Sequence, residues 1–306
     1  MSKLFPITTI AGTKSGPNGL IIAGIHGDEY EPIMAVMQLI KELGNKLVSG
    51  SLTLVPVVNK GAYLAASRAG EDGLDLARTC PGNHSGSLTE RVAHEISKLI
   101  MKSDFLIDMH TGGNLYDISP LSGYMLHPST EVLETQRAMA EAFNLPIIWG
   151  TSPELEGRTL SVARDENVPA IYTEFRGGGF HPEGIGNLVE GCKNVLAYFG
   201  MLTFEKWMSQ VELKIEDNQP GSGHLQKMYP APEEGIFVAE VALGQVVRKN
   251  EVLGHIFDHN GEEKAKIQAK QNGIVFLIRA VPMAKKGDAL AGILPSENKI
   301  KDEQNG

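Results

Sequence analysis

Short apolar runs alternate with helical patterns through the first two thirds of the chain. The runs at residues 20–25, 52–58 and 105–110 have the length and composition of buried strands. Ser87-Leu88-Thr89-Glu90 is a capping box, which predicts a helix that begins at about residue 88. The alternation continues with helices predicted near 131–143 and 183–199 and strands predicted at 146–149 and 170–173. This order predicts an α/β domain in which helices cover both faces of a mixed or parallel sheet.

The pattern changes after about residue 204. Residues 217–223 form a turn-rich linker, and the segments beyond it predict short strands and no helix. Residues 247–256 align without gaps on residues 284–293, and Asn260-Gly261 between them is a strong hairpin signal. The chain is therefore predicted to divide into three parts, namely an α/β domain at 1–210, a small all-β domain at 222–296 and a polar tail at 297–306.

Composition and charge argue against several classes of protein. The 306 residues carry a net charge of −9 and no basic block, which argues against nucleic acid or an anionic membrane as the main partner. No apolar run is long enough to span a membrane, and the start lacks the apolar core of a secretory signal. Cys80 and Cys192 provide neither a disulfide framework nor a CxxC metal site. We therefore expect a cytoplasmic globular protein.

Two of the predicted strands end in residues that bind metals. His26-Gly27-Asp28-Glu29 follows the run at 20–25 directly, and His110 ends the run at 105–110. Open α/β sheets collect ligand-binding groups at the carboxyl ends of their strands. A catalytic zinc has three protein ligands, typically His or carboxylate, and an open fourth position. The sequence therefore predicts a metal site formed by His26, Glu29 and His110, with zinc favoured over cobalt or manganese.

A third strand end adds an acidic residue. Glu174 follows the predicted strand at 170–173 and precedes the glycine-rich residues 175–179. A carboxylate beside a metal can take a proton from attacking water and later give one to a leaving amine. Alone, Glu174 fits a surface residue at a strand end, but three such ends together favour catalysis. By contrast, His255/Asp258 and His259/Glu262 repeat the His-x-x-acid spacing without a third ligand, so we expect them to be solvated loop residues.

Two arginines border a polar loop that follows the run at 52–58. Arg68 and Arg78 enclose a segment with two glycines and several acidic residues. One guanidinium can stabilise the oxyanion that forms when an amide is attacked, and another can hold a substrate carboxylate bidentately. The residues alone leave ordinary surface arginines as the alternative. Asp108 lies on the same strand face as His110, and either orientation of a ligand or a structural hydrogen bond would explain it.

Four ordered motifs together resemble one known family. They are His26-x-x-Glu29, the Arg68–Arg78 loop, Asp108-Met109-His110-Thr111-Gly112 and Glu174. The chain resembles the succinylglutamate desuccinylase/aspartoacylase family, which is related to zinc carboxypeptidases, over about residues 18–296. The resemblance implies a zinc-carboxypeptidase-like mixed sheet flanked by helices, followed by a small all-β domain of the biotinyl/lipoyl type.

The resemblance also implies roles for the site residues. One Zn²⁺ per chain would be held by His26, Glu29 and His110, with Glu174 as general base and acid. Arg68 would polarise the scissile carbonyl and Arg78 would bind a substrate carboxylate. Arg176, in the glycine-rich segment, is expected to be a further substrate-binding residue.

Two positions depart from the family pattern. The family commonly has Asp-Leu-Asn-Arg where this chain has Asp75-Leu76-Ala77-Arg78, so one amide donor for the substrate carboxylate is missing. Cys80 stands where many members have Phe before Pro-Gly. The His-Gly-Asp-Glu form and the glycine-rich segment at 175–179 are similar to branches that deacetylate diamino acids such as N-acetyl-diaminobutyrate.

The expected function is therefore removal of a short acyl group from an N-acylated amino acid by a zinc amidohydrolase. A carboxypeptidase acting on short peptides uses the same chemistry and is the alternative enzyme. A non-catalytic relative that binds a metal or metabolite is a third possibility. A biotin or lipoate carrier is disfavoured, because Asp258-His259-Asn260-Gly261 occupies the turn where such carriers need a lysine. The expected partner is a small molecule, and a homo-oligomer is compatible with the sequence.

Overall fold

The computed structural model describes residues 4–203 and 208–295, which form two compact units. The first unit comprises the described residues up to 113 together with Pro120–Phe175 and Phe180–Ser222, and the second comprises Asn114–Ser119, Arg176–Gly179 and the described residues from 223 onward. The domain limits predicted from the sequence, 1–210 and 222–296, stay a prediction. The predicted tail at 297–306 lies outside the described residues.

Within the first unit, the described strands and helices alternate along the chain. The strands are β1 (Thr8–Ala11), β2 (Lys14–Ile22), β3 (Ser49–Val55), β4 (Phe105–His110), β5 (Tyr116–Ile118), β6 (Leu121–Met125), β7 (Ile147–Thr151), β8 (Ala170–Glu174), β9 (Leu213–Glu216), β10 (Gly235–Ala239), β11 (Val246–Val247), β12 (Val252–Phe257), β13 (Glu263–Gln268), β14 (Gly273–Arg279), β15 (Met283–Ala284) and β16 (Ala291–Leu294). The α-helices are α1 (Tyr30–Leu43), α2 (Lys60–Leu64), α3 (Leu88–Ile100), α4 (Thr130–Phe143), α5 (Thr159–Asp165) and α6 (Glu183–Tyr198).

The first unit is built on one mixed sheet with the strand order β1-β3-β2-β4-β8-β6-β7-β9. Strands β3, β2, β4 and β8 run parallel to one another, whereas β1 pairs antiparallel with β3 and β6 pairs antiparallel with β8. The mixed sheet of the α/β prediction is thus confirmed. The carboxyl ends of β2, β4 and β8 consequently lie at one edge of the sheet.

Helices cover both faces of this sheet, as predicted. Ile21 packs into a core formed with α1, α4 and α6, while its neighbours Leu20 and Ile22 pack into a second core formed with α3 and α5. This alternation follows from the period of two in a strand, which sends successive side chains to opposite faces. Because both faces are covered, the central strands are mostly apolar, with Asp108, His110 and Glu174 near their carboxyl ends.

The local signals in the sequence mostly match the elements. Ser87 and Glu90 form the predicted capping box at the start of α3, and the predicted helices near 131–143 and 183–199 are α4 and α6. The strand predicted at 52–58 is wrong at its end, because β3 stops at Val55. Pro56 follows and has no N–H to continue the ladder. Helices α1, α2 and α5 are additional to those predicted.

The second unit is all-β apart from one short 3₁₀ turn in its described part. It contains a four-stranded sheet of order β13-β12-β10-β15 and a second sheet in which β14 pairs with β11, β16 and β5. The predicted hairpin joins β12 to β13, and Gly261 there has a φ of +81° that a glycine adopts without strain. Strand β5 comes from the middle of the chain, a contribution that the sequence did not indicate.

None of the described helices combines the length and the apolar character that a membrane-spanning helix requires.

Candidate metal and active site

The candidate site lies at the carboxyl edge of the first unit's sheet. His110 is the last residue of β4 and Glu174 is the last residue of β8, and the two are direct register partners. His26 and Glu29 lie on the loop that leads from β2 to α1. The loop turns at Gly24, whose φ of +66° favours glycine. The parallel arrangement of β2, β4 and β8 thus brings together residues that are far apart in the sequence.

Glu29 lies between the two histidines. Its Oε1 is 2.7 Å from Nδ1 of His26, and its Oε2 is 2.8 Å from Nδ1 of His110. All three side chains are buried. Burial by itself disfavours the ionised carboxylate, but the charges and hydrogen bonds of His26 and His110 outweigh it and hold the pKa of Glu29 well below its usual range. The buried carboxylate therefore faces two imidazole nitrogens in its ionised form.

These three residues fit a metal ion. Their ligand atoms lie within 4.8 Å of one another, and no other group of three such residues with this closeness occurs in residues 4–203 and 208–295. Two imidazole nitrogens and one carboxylate are the donor set of catalytic zinc sites that keep one open position. The predicted ligands therefore converge as expected, and the site can hold a metal ion.

Two further carboxylates contact the outer nitrogens of the imidazoles. Oδ1 of Asp75 is 3.1 Å from Nε2 of His26, and Oδ1 of Asp108 is 3.2 Å from Nε2 of His110. The hydroxyl of Thr159 donates a hydrogen bond to Asp108. A carboxylate on Nε2 favours the tautomer that leaves Nδ1 available as a ligand. Asp108 therefore contacts both His110 and Thr159, so orientation of a ligand and a structural hydrogen bond both stay as explanations of it, and Asp75 contacts His26 in the corresponding position.

Glu174 is buried beside this cluster. Burial raises the pKa of Glu174 to about 8, with further increases from the charges of Glu29 and Asp108 and opposing effects from His110 and Arg68. Its Oε2 is buried and has no hydrogen-bond partner among the described residues. A buried carboxyl group with a pKa near neutrality is suited to taking up and releasing a proton.

The structure places Arg68 beside the same cluster. Its Nε donates a hydrogen bond to Oδ2 of Asp75 over 3.0 Å, and its Nη2 forms an ion pair with the same oxygen at 2.9 Å. Its Nη1 lies 3.5 Å from Nδ1 of His26, the nitrogen that faces Glu29. The guanidinium of Arg68 is thus held by a carboxylate on one side and lies near a candidate metal-ligand atom on the other.

Arg78 and Arg158 form the outer part of the site. Arg78 ends the 3₁₀ turn Leu76–Arg78 and is exposed, and Gly157 packs so closely on it that a Cβ there would lie 2.6 Å from the carbonyl oxygen of Arg78. This contact holds Arg158 near Arg78. Burial, followed by the positive charge of Arg78, lowers the pKa of Arg158 to about 10, while Tyr172 and Glu174 act in the opposite direction. Arg158 is a candidate site residue that the sequence did not reveal, because the residues adjacent to it in the sequence form no motif.

Arg176 and the weaker histidine pairs lie in the second unit. Arg176 forms two short contacts with Asp117, Nε to Oδ1 at 2.8 Å and Nη2 to Oδ2 at 2.9 Å. Its predicted contact with substrate stays a prediction. His255 faces Glu240 and Glu263 through opposite ring nitrogens, so these carboxylates cannot converge with it on one ion.

The chain is similar to several known proteins. Residues 15–199 match the model of the succinylglutamate desuccinylase/aspartoacylase catalytic domain. The chain is 29% identical to an N-alpha-acetyl-L-2,4-diaminobutyric acid deacetylase from Halomonas elongata, over 95% of this chain and 85% of that protein. It is similar to the product-bound ectoine utilization protein EutE (DoeB) from Ruegeria pomeroyi, with a TM-score of 0.85, 25% identity and coverage of 94% and 88% of the two chains. A succinylglutamate desuccinylase from Silicibacter sp. TM1040 is similar at a TM-score of 0.84, 25% identity and the same coverage.

Proposed function

Since the chain belongs to the succinylglutamate desuccinylase/aspartoacylase family and is a deacylating hydrolase, we propose that it uses one zinc ion to remove a short acyl group from an N-acylated amino acid. The observation that carries this proposal is the buried Glu29 between two imidazole Nδ1 atoms, with Glu174 on the adjacent strand. These are the components that hydrolysis of an unactivated amide requires.

His26, Glu29 and His110 would hold the zinc. When bound, zinc acts as a Lewis acid that activates water and polarises the amide carbonyl. Asp75 and Asp108 support this set by keeping the two imidazoles in the orientation and tautomer that present Nδ1. The donor set, its burial and the two supporting carboxylates fit zinc better than magnesium or calcium, which prefer oxygen ligands alone.

Glu174 moves the proton in the proposed reaction. Its carboxylate takes a proton from the attacking water and passes it to the leaving amine nitrogen, so no separate acid is needed. The burial that raises its pKa to about 8 makes it a better proton acceptor than an ordinary carboxylate. Arg68 stabilises the negative charge that develops on the carbonyl oxygen, because its Nη1 lies on the metal-ligand side of His26.

Arg78 and Arg158 bind the carboxylate of the amino acid in this proposal. Their proximity concentrates positive charge at the outer part of the site, which favours an anionic substrate. Arg158 also supplies donors in a site whose Asp75-Leu76-Ala77-Arg78 segment lacks the asparagine common in the family. Arg176 is retained as a proposed substrate contact, and it would act while paired with Asp117.

The substrate to test first is N-acetyl-diaminobutyrate, because the relative from Halomonas elongata is named for that deacetylation. Amine release would be measured for zinc-loaded protein with this compound, N-acetyl-aspartate, N-succinyl-glutamate, several dipeptides and a polypeptide. The proposal predicts turnover of at least one N-acyl amino acid at a higher kcat/KM than any peptide. Hydrolysis of peptides alone would favour the carboxypeptidase alternative, and no turnover at all would contradict the proposal.

We also propose that the second unit has a biotinyl/lipoyl-type fold that carries no cofactor. Its hairpin turn holds Asp258, whose carboxylate accepts hydrogen bonds from the backbone of Asn260 and Glu262, and no lysine occupies residues 258–261. An intact mass equal to that of the unmodified chain is expected from cells that biotinylate and lipoylate their own carriers. A mass increase equal to biotin or lipoate would refute it.

A further inference from the structure

Asp75 lies at the junction of three groups of the candidate site. It precedes the 3₁₀ turn Leu76–Arg78, and its Oδ1 accepts a hydrogen bond from the backbone N–H of Ala77 over 2.9 Å. The same oxygen faces Nε2 of His26 at 3.1 Å. The other oxygen, Oδ2, accepts a hydrogen bond from Nε of Arg68 and forms an ion pair with its Nη2. One carboxylate therefore contacts a metal-ligand histidine, an arginine and the turn that carries Arg78.

The two oxygens of Asp75 have separate tasks. Oδ1 is shared by two donors that fix the backbone turn and the ring of His26. Oδ2 is used by Arg68 alone, and it engages two of the three guanidinium nitrogens. The third nitrogen, Nη1, is then directed to His26, where it lies 3.5 Å from Nδ1. A guanidinium is planar and rigid, so fixing Nε and Nη2 also fixes the direction of Nη1.

Arg68 needs such an anchor. Its side chain is 32% exposed to solvent. A long exposed side chain loses rotamer freedom when it is held in one geometry. A group that stabilises charge in a transition state is effective only when it is already in place.

We propose that Asp75 is a positioning residue that sets the direction of Arg68 relative to the metal ligands, so that the metal site and the oxyanion-stabilising guanidinium are held as one unit. The proposal rests on the proposed function. It goes beyond support of a ligand, because Asp108 also contacts Nε2 of its histidine, His110, but its other oxygen accepts from the hydroxyl of Thr159 and not from an arginine. Asp108 therefore provides a matched control.

Asp75→Asn separates the two tasks. The amide oxygen of the asparagine can still accept from Ala77 and His26 at the position of Oδ1. The amide NH₂ then replaces Oδ2 and faces the donors of Arg68, so the contact between the two side chains is lost. The 3₁₀ turn is kept, and we expect cooperative unfolding with the wild-type circular dichroism spectrum.

The kinetic test is a pair of double-mutant cycles. We expect Asp75→Asn to lower kcat about 100-fold with KM changed less than about 3-fold, since a misplacement of about 1 Å has an effect of this size. Arg68→Ala should lower kcat by about 10² to 10³. With zinc saturating for every variant, the double variant Asp75→Asn/Arg68→Ala should have a kcat no lower than that of Arg68→Ala, because Asp75 acts on kcat through Arg68. In the control cycle, the losses of Asp108→Asn and Arg68→Ala should multiply.

Zinc affinity provides a second readout. Asp75→Asn and Asp108→Asn should weaken zinc binding, measured by competition with a chelator, by similar factors of about 10 to 100. Arg68→Ala should cause little further loss of kcat in the Asp75→Asn background, whereas it should cause its full loss in the Asp108→Asn background. Multiplying losses in the Asp75 cycle, or a wild-type kcat for Asp75→Asn, would overturn the proposal.

A spectroscopic test does not depend on turnover. The Nε–H resonance of Arg68, assigned by its absence in Arg68→Ala, should be protected from exchange in the wild type and in Asp108→Asn and should lose that protection in Asp75→Asn. Protection that persists in Asp75→Asn would overturn the proposal even if no substrate is found. Wild-type protein inactive on the whole substrate panel, with the resonance behaving as expected, would contradict the proposed function and leave the Asp75–Arg68 arrangement supported.

Discussion

Substitution of Gly27 by alanine should disable the metal site through a steric clash with backbone. Gly27 lies between His26 and Glu29, and a Cβ built on it would lie 2.0 Å from both the carbonyl carbon and the oxygen of Ala62 and 2.2 Å from the amide nitrogen of Tyr63. These are atoms of the main chain of α2, so no side-chain rotation relieves the clash. The amide of Gly27 also donates to the carbonyl of Ser67 over 2.9 Å, next to Arg68.

The magnitude follows from the distances. Moving the α2 backbone from 2.0 Å to an ordinary contact of 3.4 Å requires a shift of about 1.4 Å, shared between α2 and the loop that carries His26 and Glu29. Overpacking of a buried contact costs about 1–3 kcal/mol, and we expect the upper part of this range because backbone must move. A displacement of about 1 Å in a catalytic site lowers activity by about 100-fold. Gly27→Ala should therefore lower stability by about 2–3 kcal/mol and activity by at least about 100-fold.

Three assays and one matched control test this prediction. Urea unfolding gives the free energy of unfolding, chelator competition gives zinc affinity and amine release gives activity. Gly61→Ala is the control, because Gly61 belongs to α2 and the nearest atom to its Cβ would be Oδ1 of Asn59 at 3.6 Å. Replacement of a helical glycine by alanine without a clash raises the free energy of unfolding by about 0.5–1 kcal/mol. A Gly27→Ala protein with wild-type zinc affinity and a free energy of unfolding within about 0.5 kcal/mol of wild type would refute the reasoning, since overpacking should exceed that margin.

Three further predictions concern parts of the first unit outside the metal ligands. Arg158→Ala should raise KM about 10-fold for an N-acyl amino acid and leave kcat nearly unchanged, because a charge-assisted hydrogen bond to a substrate carboxylate contributes about 1.5 kcal/mol. Steady-state kinetics that show a fall in kcat alone would argue against a binding role. Ser87→Ala should lower the free energy of unfolding by about 1 kcal/mol through loss of the capping box at α3, measured in urea; no loss would mean that the cap contributes nothing. Burial opposes ionisation of Asp72, but hydrogen bonds from the backbone and hydroxyl of Thr89 outweigh it and lower its pKa from 3.8 to about 2. The ionised Asp72 therefore stabilises the fold above pH 4 and loses this effect as the pH falls through 2. After allowance for solvent screening, the difference in unfolding free energy between wild type and Asp72→Asn should be about 1 kcal/mol at pH 6 and close to zero near pH 2. A difference that does not change with pH would contradict this linkage.

The part of the site that could be predicted from the sequence is the part fixed by strand ends. His110 and Glu174 each follow an apolar run, and the parallel pairing of β4 and β8 then makes them neighbours without any further information. His26 and Glu29 follow β2 by a few residues, so the same argument applies to them. The fold class follows for a similar reason, since burial of a sheet on both faces leaves a strong pattern of apolar runs and amphipathic helices.

Contacts between side chains from separate loops leave no such pattern. Asp75 meets His26 across 49 positions of the sequence, and neither residue's neighbours indicate the contact. Arg158 approaches Arg78 because Gly157 lacks a side chain, a condition that is visible only in three dimensions. Strand β5 pairs with β14 across about half of the chain, so a boundary drawn from composition alone cannot include it. The end of β3 could have been found, because Pro56 stands in the sequence and removes the donor that the ladder needs.

The most direct test of the account is a zinc titration of metal-free protein, followed by amine release from the best substrate of the panel. Activity should be absent without metal, rise linearly with added zinc and reach its maximum at one zinc per chain. His110→Ala, which removes one of the three converging ligands, should show little activity at that ratio. Full activity in the metal-free protein, or equal activation of His110→Ala by one zinc per chain, would contradict the assignment of catalysis to His26, Glu29 and His110.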